Sequence, residues 1–145
     1  MKTLFILNDA PYGSERTYNG LRLAGAIAKT ENSEKLLMES PAIRPGEQTT
    51  LAKSPVMAGH SNEVRVFMIG DAASAAHRNQ KVPQGFYNIE VMIGNVIRHG
   101  GKVGICGTCM DARGLADSDL AEGTRRSTLA ELADWTGWAD KVLVF

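Results

Sequence analysis

Short apolar runs separated by helical or polar stretches divide the chain into alternating segments. The runs at Lys2–Leu7, residues 63–69, Lys102–Cys106 and residues 141–145 have the length and continuous hydrophobicity typical of strands buried on both faces. Helices or helical turns are predicted between them. This alternation predicts an α/β fold with a parallel sheet covered by helices on both faces.

The helices are predicted from apolar spacing and from capping residues. Apolar side chains at the i, i+3, i+4, i+7 and i+8 positions predict a helix over residues 89–97. Ser14 is an N-cap candidate for a helix over residues 15–29. Thr128 and Glu131 have the spacing of a capping box ahead of the last helix. Shorter helical turns are predicted at residues 72–77 and 117–122.

One connection is much longer than the others. Residues 31–62 join a helix to a strand, where a few residues usually suffice. The segment holds three prolines and no aromatic residue, and it is rich in Ser, Thr and Glu. We expect a surface excursion that is partly mobile or used in subunit contact, with a binding flap as the alternative.

Several polar residues follow predicted strands. Asn8, Asp71 and Cys106 each stand at such a strand end, and parallel strands bring these ends to the edge where ligands bind. Asp9 and Tyr12 belong to the turn after the first strand and are candidates for the same edge. The alternatives are turn chemistry for Asn8 and Asp9, N-capping for Asp71 and surface packing for Tyr12.

Size and charge exclude several classes of protein. The 145 residues, 15.6 kDa in mass, suit one compact domain. Lys and Arg together number 16, as do Asp and Glu, so the zero net charge argues against binding to nucleic acid or to an anionic membrane. No apolar run has the length of a transmembrane helix. The beginning of the chain lacks the pattern of a signal peptide, so we expect a cytoplasmic protein.

The two cysteines form a Cys-x-x-Cys motif where a strand ends. Cys106 is the last residue of that predicted strand, and Gly107 and Thr108 separate it from Cys109. Unpaired backbone N–H groups at such a turn stabilise a thiolate, and Arg113 is close enough along the chain to act in the same direction. A thiolate is the nucleophile that attacks a disulfide or persulfide sulfur. The alternative is a pair of buried, unreactive cysteines.

No metal or cofactor site is predicted. A structural zinc site needs four ligands, but the chain has two cysteines and three scattered histidines, His60, His77 and His99. Of these, His77 is the one near the predicted edge. No glycine-rich phosphate loop and no nucleophile elbow is present.

Five segments occur in an order and spacing that resemble one protein family. They are CGTCMDARG at residues 106–114, ILNDAPYGSERTYN at 6–19, VFMIGDA at 66–72, PQGFY at 83–87 and WADKVLVF at 138–145. Together they resemble the DsrE/DsrF-like family, with its YchN-like and TusD-related sulfur-relay members. The resemblance covers about residues 1–30 and 63–145. Residues 1–145 are thus expected to form a single domain of this family, with an atypical inserted segment at about residues 31–62.

This resemblance implies a three-layer α/β/α sandwich with a mainly parallel sheet of four to five strands. It also implies homo-oligomers, often trimers or hexamers, and sulfur handling with donor and acceptor proteins. In sulfur-relay members the active cysteine stands seven or eight residues before an Arg-Gly pair. Cys106 stands seven residues before Arg113 and eight before Gly114, which favours Cys106 as the sulfur carrier. Cys109 would then resolve, protect or tune it.

The resulting hypothesis is a small sulfur carrier with sulfurtransferase-like activity. Cys106 accepts sulfane sulfur as a persulfide and passes it to an acceptor thiol. Gly107, Thr108 and Arg113 would hold the anionic sulfur, and Asn8, Asp9 and Asp71 would shape the mouth of the site. Two alternatives remain open: a dithiol oxidoreductase that cycles Cys106 and Cys109, and an oligomeric binding scaffold without catalysis.

Overall fold

A five-stranded parallel sheet forms the centre of the molecule. In the computed structural model, residues 1–39 and 61–145 are described, with side chains for residues 1–29 and 61–145. The strands of this part are β1 (Lys2–Leu7), β2 (Glu63–Met68), β3 (Lys102–Cys106), β4 (Thr124–Ser127) and β5 (Lys141–Val144), in the order β4-β3-β2-β1-β5. All four pairings are parallel. The carboxyl ends of the strands therefore lie at one edge of the sheet.

Helices cover both faces of this sheet. They are α1 (Arg16–Glu39), α2 (Ile89–Arg98), α3 (Gly107–Ala112) and α4 (Leu129–Trp138), with 3₁₀ segments at Gly70–Ala76 and Asp117–Asp119. None of the helices in the described ranges is long and apolar enough to cross a membrane. The α/β fold with a parallel sheet and helices on either side is thus confirmed.

The alternation of side chains along each strand separates two cores. In β1, Phe5 points into the larger cluster, which is shared with α1 and α2, whereas its neighbour Leu4 points into the smaller one beneath α4. Phe67 of β2 meets Trp135 of α4 edge to face, with ring centroids 6.0 Å apart. Burial on both faces explains why these strands are continuous apolar runs in the sequence.

Strand β4 was not predicted. Its residues Thr124–Ser127 are mostly polar because the strand lies at the edge of the sheet, and Arg125 and Arg126 extend towards carboxylates outside it. The predicted helix over residues 117–122 is also wrong in extent. It shortens to Asp117–Asp119, since Leu120 forms an antiparallel bridge with His77.

The first helix is longer than its predicted range of residues 15–29. Helix α1 runs from Arg16 to Glu39 and so takes in the first part of the segment that was expected to leave the fold as an excursion. The remainder of that segment, from residue 40 to residue 60, lies outside the described residues. The capping box of α4 is confirmed, because the Thr128 hydroxyl accepts a hydrogen bond from the backbone N–H of Glu131 at 3.2 Å.

Candidate functional site

Cys106 lies where β3 passes directly into α3. The strand ends at Cys106 and the helix begins at Gly107, without an intervening loop. Glycine suits this position because a Cβ atom on residue 107 would lie in tight contact, 3.1 Å from Nη1 of Arg126 and 3.2 Å from the carbonyl oxygen of Ser127. The side chain of Cys106 is thereby held at the carboxyl edge of the sheet, with the residue 6% exposed.

The environment of Cys106 favours a thiolate. Its Sγ lies 3.3 Å from Oγ1 of Thr108, and Cys109 packs against the apolar cluster that contains Cys106. Burial alone raises the pKa of Cys106, but hydrogen bonds from Thr108 and Cys109, including their backbone groups, outweigh it. The pKa of Cys106 is therefore below its ordinary value, which increases the fraction present as nucleophile.

Cys109 has the opposite tendency although it lies only one helical turn away. Burial raises the pKa of Cys109, and its hydrogen bond with Cys106 raises it further. Two groups lower the pKa of Cys109: the backbone N–H of Gly70, 3.2 Å from its Sγ, and the charge of Arg113. Their effect is smaller than the increase, so the pKa remains raised. Cys109 therefore stays a protonated thiol over a wider pH range than Cys106.

The 3₁₀ segment after β2 supplies the other side of Cys109. Gly70 adopts a φ of +61°, a conformation that glycine takes without strain, and this turns its N–H towards the sulfur. Arg113 donates to Oδ1 of Asp71 at 2.5 Å and to the carbonyl oxygen of Cys109 at 3.0 Å. Asp71 thus bridges to α3; the N-capping role considered as its alternative is not seen, because the 3₁₀ segment begins at Gly70 without a side-chain cap.

A groove of about 730 Å³ opens beside Cys106. Its lining comes from α3, from the 3₁₀ segment at Asp117–Asp119 and from the junction between β4 and α4. The residues are Cys106, Gly107, Thr108, Asp111, Asp117, Arg126, Ser127, Thr128 and Leu129. A thiolate at the end of such a groove is reachable by a small thiol or by an extended segment of a protein.

Two charged clusters fix the wall of this groove. Arg126 donates to the Gly107 carbonyl at 3.1 Å, to Asp111 at 2.9 Å and to Asp117 at 2.7 Å. Glu131 pairs with Arg125 and accepts from the hydroxyl of Ser127 at 2.5 Å. The hydrogen bond from Arg125, opposed by burial and reinforced by Ser127, lowers the pKa of Glu131 to about 2. These contacts hold β4 and the start of α4 against α3.

The structure brings together most of the predicted site residues. Cys106, Gly107 and Thr108 line the groove, while Cys109, Arg113 and Asp71 form a cluster on the other side of the same turn. Their roles in binding and catalysis stay predictions.

Of the two predicted site residues directly after β1, Asn8 contacts the 3₁₀ segment that follows β2, whereas Asp9 bonds within its own turn. Asn8 lies next to the 3₁₀ segment, because its carbonyl accepts from the N–H of Ala72 at 3.2 Å, and its own N–H donates to Phe145. Asp9 accepts hydrogen bonds from Ser14 and Thr17, which is the turn chemistry considered for it.

Tyr12 connects two loops. Its hydroxyl donates to Gln80 at 2.7 Å and accepts from the N–H of Ile89, and its ring stacks on Tyr87. Asn8, Asp9 and Tyr12 are all absent from the lining of the groove. Their contacts thus assign them to the first loop and its neighbours, and a substrate-binding role stays a prediction.

The histidines of the described part lie in local turns. His77 bonds to the adjacent carbonyl of Arg78, and His99 bonds to the carbonyl of Asn95 at the end of α2. His60 falls outside the described residues. Within residues 1–29 and 61–145, no three His, Cys, Asp or Glu side chains form a group that could hold a metal ion.

The sequence analysis did not identify Gly70, Arg126 or Ser127. Gly70 and Cys109 are 39 positions apart in the sequence, and Arg126 and Gly107 are 19 apart, so no local spacing connects them. The sequence offered one indication of Gly70: the Gly-Asp pair that follows β2, of which Asp71 alone was predicted to be a site residue. Arg126 and Ser127 belong to strand β4, which pairs with β3 and was not predicted, so the sequence did not indicate that they lie beside Cys106.

Comparison with known proteins matches the whole chain to one family. A model of the DsrE/DsrF-like family matches residues 1–145. Protein YchN of Escherichia coli is 35% identical over 144 residues, which cover 99% of this chain and 98% of YchN. The crystal structure of E. coli YchN superimposes with a TM-score of 0.76 over the same shares of the two chains. Protein MJ0989 of Methanocaldococcus jannaschii is 29% identical over 145 residues, 100% of each chain.

A more distant structure shows the fold alone. The protein MTH1491 from Methanobacterium thermoautotrophicum, whose function is unknown, matches with a TM-score of 0.59 at 13% identity, covering 99% of this chain and 98% of its own. The arrangement of strands and helices is thus retained where most residues differ.

Proposed function

The chain belongs to the DsrE/DsrF-like family, and on that premise we propose that it is a sulfur carrier whose active residue is Cys106. One observation carries this proposal: the Cys106 sulfur is held by hydrogen bonds that lower its pKa at the end of an open groove. A cysteine that served only to fill the core would need neither the donors nor the groove. The association of the family with sulfur relay points to persulfide as the carried form.

The loading step is a nucleophilic displacement at sulfur. The Cys106 thiolate attacks the outer sulfur of a donor persulfide, R–S–SH, and forms a new S–S bond. The bond inside the donor breaks, and the donor leaves as the thiol R–SH after taking up a proton. Cys106 now carries the sulfane sulfur as Cys106–S–SH, and no external oxidant is consumed.

Unloading repeats this chemistry with Cys106 as the leaving group. The thiolate of an acceptor attacks the outer sulfur of Cys106–S–SH, and Cys106 departs as a thiolate. Its lowered pKa makes it a good leaving group for the same reason that it makes it an available nucleophile. The hydrogen bonds from Thr108 and Cys109 therefore favour both the loading and the unloading step, because they stabilise the Cys106 thiolate.

The donor and the acceptor are proposed to be proteins, and the site of action the cytoplasm. The groove is wide enough to admit a cysteine-bearing segment, with Leu129 exposed at its rim as an apolar contact. Assembly as a homo-oligomer is part of the proposal. It is supported by β5, the last strand of the sheet, on which Val142 and Val144 are exposed.

Mass spectrometry of the intact protein tests the proposal directly. The reduced protein is incubated with a low-molecular-weight persulfide, and the cysteines are mapped by peptide after alkylation. We expect a reductant-labile gain of about 32 Da, one sulfur atom, on Cys106. Cys106→Ser is expected not to load. Loading of Cys106→Ser at Cys109 to the wild-type level would overturn the assignment of Cys106.

A dithiol oxidoreductase is the second candidate because Cys106 and Cys109 are both free cysteines that pack in one apolar cluster. This function predicts a loss of two hydrogens without any gain of sulfur in the same experiment, together with electron transfer to a disulfide substrate. Thiols that stay unmodified in the folded protein would instead favour the binding scaffold.

A further inference from the structure

The geometry points to a second step at the same site, which rests on the proposed function: Cys109 discharges a loaded Cys106 by attacking its Sγ and releasing the carried sulfur as sulfide. The chain would then convert sulfane sulfur to sulfide whenever no acceptor thiol reaches the persulfide first. Cys109 becomes a catalytic residue of this discharge and not only a neighbour of the carrier.

The position of Cys109 fits an attack on the inner sulfur of the persulfide. Cys109 lies in the first turn of α3, three residues after the N-cap Cys106, and packs against the apolar cluster that contains Cys106. The groove is lined by Cys106 but not by Cys109. A sulfur added to Cys106 can therefore extend into the groove, while Cys109 faces Cys106 from its other side.

The surroundings of Cys109 supply what a transient thiolate needs. The N–H of Gly70 donates directly to its sulfur, and Arg113 adds a positive charge beside it. In the unloaded protein the charge of Cys106 opposes ionisation of Cys109. Loading moves the negative charge from Sγ to the outer sulfur, one bond further away. The loaded protein therefore repels a thiolate on Cys109 less strongly than the unloaded protein does.

The step balances without any added reagent. The Cys109 thiolate forms a bond to Cys106 Sγ, the bond between Sγ and the outer sulfur breaks, and the outer sulfur leaves as HS⁻ with its electron pair. The outer sulfur is reduced to sulfide and Cys109 is oxidised, while Cys106, oxidised when it was loaded, stays at the disulfide level. Renewed loading requires an external dithiol that reduces this disulfide, so discharge stops after one turnover in its absence.

Sulfide release from the loaded protein tests this inference. Reduced protein is loaded with a persulfide, freed of donor by gel filtration, and followed in time by intact mass and by a sulfide-trapping reagent. For the wild type we expect the loaded species to give way to one that lacks two hydrogens, with one sulfide released per disulfide formed. The rate should not depend on protein concentration, because the reaction is intramolecular.

Two variants separate the attack from other roles of Cys109. Cys109→Ser retains a hydrogen-bond donor towards Cys106, and we expect it to load and then to release sulfide at least about tenfold more slowly than wild type. Ala112→Ser is the matched control, since it places the same hydroxyl at an exposed position of the same helix. It should release sulfide at the wild-type rate.

The outcomes distinguish the two proposals. If Cys106 takes up no sulfur in Cys109→Ser, where discharge is blocked, and wild type releases no sulfide, the proposed function fails and the discharge fails with it. If Cys106 loads but wild type and Cys109→Ser release sulfide equally fast, the discharge alone is overturned and Cys109 only tunes its neighbour. A release rate that rises with protein concentration would also overturn it, because the attacking thiol would then belong to another chain.

Discussion

The two cysteines share one helical turn but lie in different surroundings. Cys106 is almost fully buried, its pKa is lowered, and it opens onto a groove built by β4 and α4. Cys109 is more exposed, its pKa is raised, and it faces the 3₁₀ segment that follows β2. The Cys-x-x-Cys spacing brings the two cysteines together, whereas distant segments of the chain set the environment of each thiol.

The largest expected effect is the difference in alkylation rate between the two thiols. Near neutral pH, iodoacetamide should modify Cys106 faster than Cys109 by on the order of a hundredfold, because their pKa values move in opposite directions. Peptide mapping of the partly alkylated wild type gives both rates. The selectivity should fall as the pH rises, because Cys106 reaches full ionisation at a lower pH than Cys109.

Exposure alone predicts the reverse order, since Cys109 is the more accessible of the two. Faster modification of Cys109 would therefore show that accessibility, not ionisation, governs reactivity at this turn. Urea-unfolded protein is the control, in which the two rates should become equal.

The next effect concerns the wall on the Cys106 side. Glu131→Gln removes a carboxylate whose pKa is lowered to about 2 from 4.5. The folded protein holds this proton less tightly than the unfolded chain, so the ion pair stabilises the fold above about pH 4.5 and ceases to do so as the pH falls through about 2. We expect a loss of about 2 kcal/mol in the free energy of unfolding near neutral pH, after allowance for partial exposure.

Urea unfolding of wild type and Glu131→Gln across the acidic range measures this effect. The difference between the two proteins should shrink towards zero at the acid end. A difference that stays constant with pH would assign the stabilisation to packing or to neutral hydrogen bonds.

Strand β4 shows why the sequence predicted the fold better than the site. Strands β1, β2 and β3 are buried on both faces, so hydrophobicity alone reveals them. Strand β4 is polar because its side chains form hydrogen bonds with residues outside the strand. Ser127 bonds to Glu131, and Arg126 bonds to Asp111 and Asp117. A hydrophobicity pattern contains no signal for such pairings.

The same reasoning applies to the thiols themselves. The contact between Cys106 and Cys109 follows from their spacing, and the position at the end of a strand was visible in the sequence. The donor from Gly70 was not visible, because it comes from 39 positions away. The sequence thus indicated both cysteines as candidates for reaction but left open the opposite directions of their pKa shifts.

A smaller effect is expected from the hydroxyl beside Cys106. Thr108→Val keeps the shape of the side chain but removes the hydrogen bond at 3.3 Å that lowers the pKa of Cys106. The pKa of Cys106 should rise, and its alkylation near neutral pH should slow by about fivefold. Thr108→Ser retains the hydroxyl and should be alkylated at the wild-type rate. Equal rates in all three proteins would show that Thr108 does not influence the pKa of Cys106.

The smallest effect comes from the exposed pair on the Cys109 side. Arg113→Gln removes a positive charge that lowers the pKa of Cys109, so that pKa should rise further and Cys109 should be alkylated about twofold more slowly near neutral pH. The rate is measured in a Cys106→Ser background, where only one thiol reacts. Added salt should reduce the difference, because the charges are partly exposed to solvent.

Asp71→Asn is the matched control for this prediction, since it breaks the same ion pair but leaves the charge of Arg113 in place. If Arg113 acts by its charge, Asp71→Asn should not slow the alkylation of Cys109. If it acts by holding the 3₁₀ segment and its Gly70 donor against α3, both variants should slow it alike. The pair of variants therefore separates an electrostatic from a structural role on the side of the site where the pKa of the thiol is raised.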